Sequence, residues 1–449
     1  MSLTIAANVR TTRPLAIERG ARVLFVALAT ICVLFYLTLF WRIVAEGEMF
    51  HRLGFDWTMF HAQAMTLRER GGQRMYDLSE TDGYLRQLST YYHGPAEFQT
   101  AQPVPYPPWF AAAVVPFTVP PPPIGFALWE AASVLAAVYL AYRVRQFLPE
   151  LGLPGAAVAV LAAVPVATAL YMGQVALLLA IPVAEMLVSF RGGRDFRAGV
   201  WLAVLLIKPQ YALVFGLLIL WKKRYQALAG LAVGTLGLLF VGALAAGIPA
   251  FVGLLSALRE MGEFRGPFGG PAWMMNWRSI VLAVRPGIGD QAGFALVSSL
   301  SLLTMALSLL PWRGRWQPDS PSFAPRFCLL TLGALISSYH SHLHGAALLV
   351  VPMAAAWAEP KLRPLTRIAV CAAIYVPTLV LLWVAGVVNR LAVSADPDVP
   401  LWYVWPEALP AILFLVAFLL MSFDLLGAVR FVSGQAHRAA IQAPRSSRP

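Results

Sequence analysis

Long apolar runs without a charged residue recur along this chain, and they constrain its fold more than any other feature. Residues 23–41 and 151–184 hold no Asp, Glu, Lys or Arg. A helix needs about 20 apolar residues to cross the hydrocarbon core of a bilayer, whereas membrane strands alternate polar and apolar residues. Charged residues make up 12% of the 449-residue chain, against about 25% in soluble proteins. The sequence therefore predicts an all-α polytopic membrane protein.

Basic residues lie in short clusters between the apolar runs, and this distribution predicts the topology. Cytoplasmic loops of membrane proteins carry an excess of Lys and Arg. We therefore assign residues 1–22 to a cytoplasmic N-terminal tail and residues 431–449 to a cytoplasmic, disordered tail. Residues 23–430 are predicted to form one transmembrane domain of about 12 helices, with 11 to 13 allowed. The net charge of +12 comes from these clusters, so it does not indicate a nucleic-acid partner.

Two longer segments, residues 46–105 and 248–290, are predicted to lie on the periplasmic side. The first holds five basic and eight acidic residues, the reverse of the cytoplasmic pattern. Within residues 56–70, apolar side chains recur at the spacing of one helix face, which predicts an amphipathic helix on the membrane surface. These side chains are Trp57, Phe60, Ala64 and Leu67.

Three of the apolar runs are interrupted by polar or helix-breaking residues. We predict a bend at residues 171–174, a break at Lys208-Pro209 and a second bend at residues 339–344, where histidines alternate with other residues. Proline cannot continue a helix and restricts the residue before it. Polar side chains therefore enter the apolar part of the protein at these interruptions.

The predicted topology brings polar and ionisable side chains together at the outer face. Such groups are costly near the membrane and usually line cavities or sites. A pocket with a carboxylate, a lysine, an arginine and imidazoles can bind an anionic headgroup and accept a proton. The candidate residues are Asp56, Gln174, Lys208, Asn276, Arg278, His340, His342 and His344.

Each of these candidates also has a structural interpretation. Asp56 can cap the N-terminus of its helix, and Lys208 can extend its ammonium group to the interface. Asn276 and Arg278 can satisfy backbone groups of their own loop. The three histidines can bind a metal, line a substrate cavity or fill the interface. The histidines occupy alternate positions, and side chains at alternate positions lie on the same side only if the segment is extended or bent.

An ordered set of short motifs resembles glycosyltransferase family 87 over about residues 20–350. No single motif is specific, but their order and spacing are similar to the family pattern. The motifs are Phe55-Asp-Trp-Thr-Met-Phe60, Gly71-Gly72, Met75-Tyr-Asp77, Tyr106-Pro-Pro108, Gly173-Gln-Val175, Ile207-Lys-Pro209, Asn276-Trp-Arg-Ser279 and the bend at residues 337–344.

The resemblance implies a GT-C-like bundle that takes a hexose, most often mannose, from a polyprenyl-phosphate sugar and transfers it to a lipid or glycan acceptor. It implies that Asp56 is the catalytic base and that Lys208 stabilises the leaving phosphate. Inversion at the anomeric carbon follows, with no metal and no cofactor. The implied substrate-binding residues are Lys208, Arg278, Asn276, Gln174, Tyr106, His340, His342 and His344.

A transporter or flippase of a lipid-linked saccharide is the alternative function. Transporters favour inverted repeats and broken helices at the midplane, whereas this chain places its polar residues near one face. A structural membrane protein, or a ligase that joins a preassembled glycan to lipid, also remains open. For the enzyme, we expect a multi-pass protein of the inner membrane whose active site faces the periplasm.

Overall fold

The computed structural model describes most of the chain between residues 54 and 442. The described ranges are 54–88, 104–263, 274–285, 288–359, 362–376 and 405–442, with the isolated residues 27, 30 and 34. Within them, the side chains of residues 261–263, 405–407 and 428–442 are not described. The uncharged run 23–41 lies almost wholly outside these ranges. Residues 368–388 are a further uncharged run that we predict to cross the membrane, and its residues 377–388 lie outside the described ranges.

The described residues form helices joined by short turns, and strand pairing among them is limited to one isolated bridge between Met274 and His342. This confirms the all-α class. In chain order the helices are α1 (Phe55–Arg70), α2 (Leu78–Leu88), α3 (Pro108–Val114), α4 (Pro122–Phe147), α5 (Gly152–Leu161), α6 (Val164–Met172), α7 (Ala176–Arg191), α8 (Asp195–Val204), α9 (Pro209–Trp221), α10 (Tyr225–Ala246), α11 (Pro249–Glu263), α12 (Trp277–Val284), α13 (Asp290–Leu309), α14 (Phe323–Ser337), α15 (Val350–Trp357), α16 (Pro364–Tyr375) and α17 (Trp405–Gln442).

Four helical segments of the described chain are long and apolar enough to cross a membrane. They are α4, α10, α13 with the turn that follows it, and residues 408–427 of α17. A fifth crossing is possible if α5 and α6, which meet at 61°, act as one bent span. Several shorter apolar helices pack among them. The predicted count of about 12 crossings therefore stays a prediction.

Two of the three predicted interruptions occur where proline or glycine stops a helix, and the third, the bend at residues 339–344, holds neither residue. α6 ends at Gly173, whose φ of +68° is left-handed, and α7 begins after Gln174. Lys208 is not helical, at φ −127° and ψ 82°, and Pro209 starts α9. Residues 338–342 separate α14 from a short 3₁₀ helix, Leu343–Leu349. Each apolar run is thus divided into helices that end at the same polar region.

The first polar segment forms a helix, but α1 does not lie on a surface. Its central residues are buried all around the helix, against α2, α3 and the turn after α3. Polar residues of α1 outside the apolar stripe are buried too, and two of them donate to backbone carbonyls: Thr66 to that of Ala62 at 2.9 Å and Gln63 to that of Val104 at 2.8 Å. The prediction of a surface amphipathic helix is therefore wrong, since protein covers both faces.

Two other predicted segments are more helical than expected. The segment 248–290, predicted as a loop, contains α11 and α12. The backbone of α17 continues past residue 430, where we placed a disordered tail, and ends at Gln442. Residues 435–442 include three alanines and two glutamines, and these residue types favour helices.

α8 and α10 cross at very close range, with a glycine from each helix at the contact. A Cβ on Gly199 would lie 1.9 Å from the carbonyl oxygen of Ala227, and one on Gly230 would lie 2.0 Å from that of Phe196. Small residues let helix backbones approach in membranes, where packing rather than water expulsion drives association. The crossing fixes α8, which leads directly to Lys208.

The polar region around Gln174 and Lys208 and a cluster of basic residues lie at opposite ends of two described helices, α7 and α9. α7 and α9 begin beside Gln174 and Lys208, and they are about 24 Å and 20 Å long at 1.5 Å per residue. At their far ends, Lys222 donates to the carbonyl of Gly314 at 2.8 Å, and Arg224 donates to Asp195 at 2.7 Å. Two helices thus connect the candidate site to a cluster of basic residues.

Candidate active site

Two glycines let the start of α1 approach the end of α6. Gly54 caps α1 with φ +79°, and its N–H donates to the carbonyl of Tyr171 at 2.9 Å. A Cβ on Gly54 would lie 2.6 Å from the ring of Phe126, and one on Gly173 would lie 2.6 Å from Cβ of Trp57. Both glycines have positive φ, which other residues rarely adopt. This contact places the first turn of α1, with Asp56, beside the turn that holds Gln174.

A chain of polar contacts joins Asp56, Gln174 and Lys208. The Gln174 amide donates from Nε2 to Oδ2 of Asp56 at 2.5 Å, and its Oε1 accepts from Nζ of Lys208 at 3.4 Å. Gln174 is buried, and the other two are half-buried. Burial raises the pKa of the Asp56 carboxyl, while the hydrogen bond from Gln174 and the charge of Lys208 act to lower it.

Aromatic residues form one wall beside this chain. The ring of Tyr106 lies 5.5 Å from Nζ of Lys208, within the range of a cation–π contact. Phe60 packs edge-on against Tyr106, with ring centroids 4.9 Å apart. The hydroxyl of Tyr76 donates to the backbone carbonyl of Tyr106 at 2.6 Å. Phe60 of α1 and Tyr76 of the turn between α1 and α2 therefore hold Tyr106 beside the ammonium group.

Asn276 holds the histidine-rich bend. Its Nδ2 donates to the carbonyls of Ser338 at 2.8 Å and Tyr339 at 3.0 Å, and its Oδ1 accepts from the N–H of Ser279 as the cap of α12. The side chain is only 1% exposed. The bond from Ser279 is the local role that we considered for Asn276, and the two bonds to the bend are a second structural role. Contact of Asn276 with a substrate stays a prediction. Arg278 lies over the ring of Tyr339, 4.9 Å from its centroid.

The bend brings the three histidines to the beginning of α9. The ring centroids of His340 and His342 are 4.7 Å apart, and those of His342 and His344 are 5.9 Å apart. Tyr211 makes a 3.3 Å hydroxyl contact with Ser341, so the bend is joined to the helix that Lys208 precedes. In the part of the chain that the structure describes, no three His, Cys, Asp or Glu side chains are grouped as a metal site requires.

Sequence reasoning missed three residues that organise this region. Gln210 and Tyr211 contact the bend, with Gln210 donating to the carbonyl of His340 at 3.4 Å. Trp129 on α4 donates from its indole to the carbonyl of Gly173 at 2.8 Å. Gln210 and Tyr211 could be found from Pro209, because a proline that starts a helix places the next two residues in the first turn of that helix. The sequence holds no comparable signal for Trp129.

A comparison with protein families matches residues 105–338 to the model of glycosyltransferase family 87. This match covers slightly more than half of the chain. The chain belongs to glycosyltransferase family 87. No curated protein and no solved structure matches it.

Membership of family 87 makes the protein a glycosyltransferase, which uses a sugar donor and an acceptor. The region that matches the family contains Tyr106, Gln174 and Lys208, together with Asn276 and Arg278. Asp56 precedes this region and the three histidines follow it. The fold therefore brings residues from outside the matched region to the residues within it.

Proposed function

We propose that this family 87 protein transfers a hexose, specifically mannose, from a polyprenyl-phosphate sugar to a lipid or glycan acceptor at the periplasmic face of the inner membrane. The observation that carries the proposal is the chain from Asp56 through Gln174 to Lys208. It places a carboxylate and an ammonium group at opposite ends of one buried amide. Transfer from a sugar phosphate needs a base for the acceptor hydroxyl and a positive charge for the leaving phosphate, and these two groups can serve as such.

Asp56 is the base in this proposal. Its carboxylate takes the proton of the acceptor hydroxyl while that oxygen forms a bond to the anomeric carbon of the sugar. The bond between the anomeric carbon and the phosphate oxygen breaks, and its electron pair leaves with the polyprenyl phosphate. One displacement inverts the configuration, so a β-linked donor yields an α-linked product.

Lys208 and its neighbours receive the leaving group. The ammonium group stabilises negative charge that develops on the phosphate, and such an interaction is stronger in a poorly hydrated site than in water. Arg278, which lies over the ring of Tyr339, and the bend histidines at the beginning of α9 contact the remaining phosphate oxygens in this proposal. Gln174 is a positioning residue here, because it holds the base and the cation at a fixed spacing.

The basic end of the molecule supports the proposed orientation. Basic residues are enriched in cytoplasmic loops, and Lys222, Arg224 and Arg191 lie at the ends of α7 and α9 that are remote from the site. An end with this composition in the cytoplasm directs the other end of both helices to the outside. The site would then face the periplasm, where a polyprenyl-phosphate sugar rather than a nucleotide sugar is the expected donor.

Release of polyprenyl phosphate from a short-chain polyprenyl-phosphate mannose, with membrane extract as the acceptor, tests the proposal. We expect wild-type protein to release it and Asp56→Asn to lose activity by about 10²-fold or more, as expected for removal of a general base. Lys208→Met should lose about 10²- to 10³-fold. Matched controls are Asp82→Asn on α2 and Lys222→Met, which lies at the opposite end of α9 from Lys208.

The outcomes separate the candidate functions. Equal release by wild type and Asp56→Asn, in protein that remains folded, would remove Asp56 from the chemistry. If neither protein releases phosphate but both bind the lipid donor, the transporter interpretation is favoured. Activity with another polyprenyl-phosphate hexose but not with mannose would retain the mechanism and change the sugar.

A further inference from the structure

α11 packs against the site region through its smallest side chains. Ala250 and Ala257 are buried. Between them, Gly253 lies so close to Tyr76 that a Cβ on the glycine would be 2.8 Å from the tyrosine ring. These three small residues recur at spacings of three and four, which places them on one face of the helix. One side of α11 therefore faces protein.

The rest of α11 is divided into an apolar sector and a polar sector. Val252 and Leu255 are 66% and 67% exposed, and Leu258 is also exposed. Ser256 and Glu260 are exposed as well, and the serine hydroxyl donates to Oε1 of the glutamate at 3.4 Å. At about 100° per residue, the centres of the two sectors are about 120° apart. By the same angles Arg259 lies within the apolar sector, between Leu255 and Val252, where its long side chain can extend to the headgroups.

α11 packs on protein with one side and exposes an apolar sector and a polar sector on the others. Such a helix fits the boundary between lipid and water. α11 has 15 residues and is about 22 Å long, too short to cross a hydrocarbon core of about 30 Å. It follows α10, a candidate span, through Gly247 at φ +72°. Leu244 and Ile248, on either side of that glycine, are exposed, so the apolar sector continues the exposed apolar surface of α10.

We propose that α11 lies in the lipid–water interface, with Val252, Leu255 and Leu258 among the acyl chains and with Ser256 and Glu260 at the headgroups. The partner is the phospholipid bilayer itself. Binding of this kind scales with the apolar area that enters the membrane. Among the described helices, α11 rather than α1 thus takes the interfacial position.

α11 also connects this interface to the candidate active site. Tyr76, which packs on Gly253, donates its hydroxyl to the carbonyl of Tyr106, and the ring of Tyr106 lies beside Lys208. The depth of α11 in the bilayer therefore sets the height of Lys208 relative to the headgroups. This consequence rests on the proposed function, whereas the interfacial position of α11 does not.

Photo-crosslinking measures the position of α11 without reference to activity. A benzophenone side chain replaces Leu255, Leu258, Ser256 or Glu260 in full-length protein in nanodiscs that contain alkyne-tagged phospholipid. The same replacement of Leu236, an exposed residue of α10, is the reference for lipid contact. We expect lipid adducts at Leu255 and Leu258 at about the Leu236 level, and about fivefold fewer at Ser256 and Glu260.

Other results would overturn the proposal. Equal adduct yields at all four positions would mean that the two sectors do not face different media. Adducts with another segment of the same chain, or with a second copy, at Leu255 and Leu258 would mean that protein covers the apolar sector. Each crosslinked sample is checked for a monodisperse elution profile, so that a misfolded variant is not scored.

An activity measurement tests the link to the site separately. Leu255→Glu should lower kcat/KM about fivefold for a long-chain donor embedded in the bilayer, because the short glutamate side chain cannot carry its charge out to the headgroups as a long basic side chain can, and so lifts α11 from the acyl region. Turnover of a short-chain donor that dissolves in water should not change. Ser256→Glu, in the polar sector, is the control. Equal loss with both donors would contradict the link while leaving the crosslinking result intact.

Discussion

At the scale of single residues, Gln174 determines how the charged groups of the site are arranged. A carboxylate only accepts hydrogen bonds and an ammonium group only donates them, so the amide can face in one direction only. Its Nε2 meets Asp56 and its Oε1 meets Lys208. Asn276 uses both halves of its own amide in a comparable way, but on backbone groups of the bend and of α12.

The Gln174→Met variant should move the acid limb of the pH profile of kcat/KM to higher pH. A general base works only when ionised, so activity is lost as the pH falls through its pKa. Burial raises the pKa of Asp56, and the hydrogen bond from Gln174 opposes that effect. Methionine removes the bond and keeps the burial, so the pKa rises further and activity returns at alkaline pH.

The pH profile of the exposed control, Gln73→Met, should superimpose on that of wild type. An unshifted acid limb in Gln174→Met, with only a lower plateau, would show that Asp56 is not the group that titrates in this limb.

At the scale of helices, the breaks were predictable and the environment of each helix was not. The break at Lys208-Pro209 is caused by proline and the bend at residues 171–174 by glycine at positive φ. The bend at residues 339–344 holds neither residue, and Asn276 donates to its backbone carbonyls. Whether a helix lies in protein or at an interface depends on what packs against it. α1 carries an apolar stripe and is buried all round, whereas α11 lies in a segment predicted as a loop.

Gly230→Leu should destabilise the protein by forcing apart α8 and α10. A Cβ at this position would lie 2.0 Å from the carbonyl oxygen of Phe196, so one helix backbone must move. Overpacking of this kind costs about 1–3 kcal/mol. We expect a lower Tm in detergent, together with lower activity, because α8 leads to Lys208.

The control lies on the same helix. No heavy atom lies within 4 Å of a Cβ on Gly237, so Gly237→Ala should be neutral or slightly stabilising, since alanine favours helices by about 1 kcal/mol over glycine. An equal fall in Tm for both variants would mean that loss of glycine in α10, and not the contact with α8, is responsible.

At the scale of the whole molecule, a cluster of basic residues lies at one end of α7 and α9 and the candidate site lies at the other. The basic cluster gathers Lys222, Arg224 and their partners Gly314 and Asp195. The other ends of the same helices meet at the candidate site. Gly72 packs on the last turn of α10, where a Cβ would lie 1.7 Å from the carbonyl oxygen of Ala246, so the neighbouring Gln73 belongs to the site end.

Thiol labelling of intact spheroplasts should distinguish the two ends. Gln73→Cys should react with a membrane-impermeant maleimide added from outside. Arg315→Cys, at the basic end, should react only after lysis, because basic loops stay in the cytoplasm. The wild-type chain measures background labelling of the native cysteines. Labelling of Arg315→Cys in intact spheroplasts would reverse the proposed orientation.

The sequence by itself determined the membrane class, the helical secondary structure and the places where helices break. Those properties depend on apolar run length, proline and charge along a few turns of chain, which are local quantities. Only the tertiary structure decided that Gln174 joins Asp56 to Lys208, across 118 and 34 positions, and that α1 is enclosed by protein. Such contacts depend on how distant helices pack, and packing involves every neighbour of a helix at once.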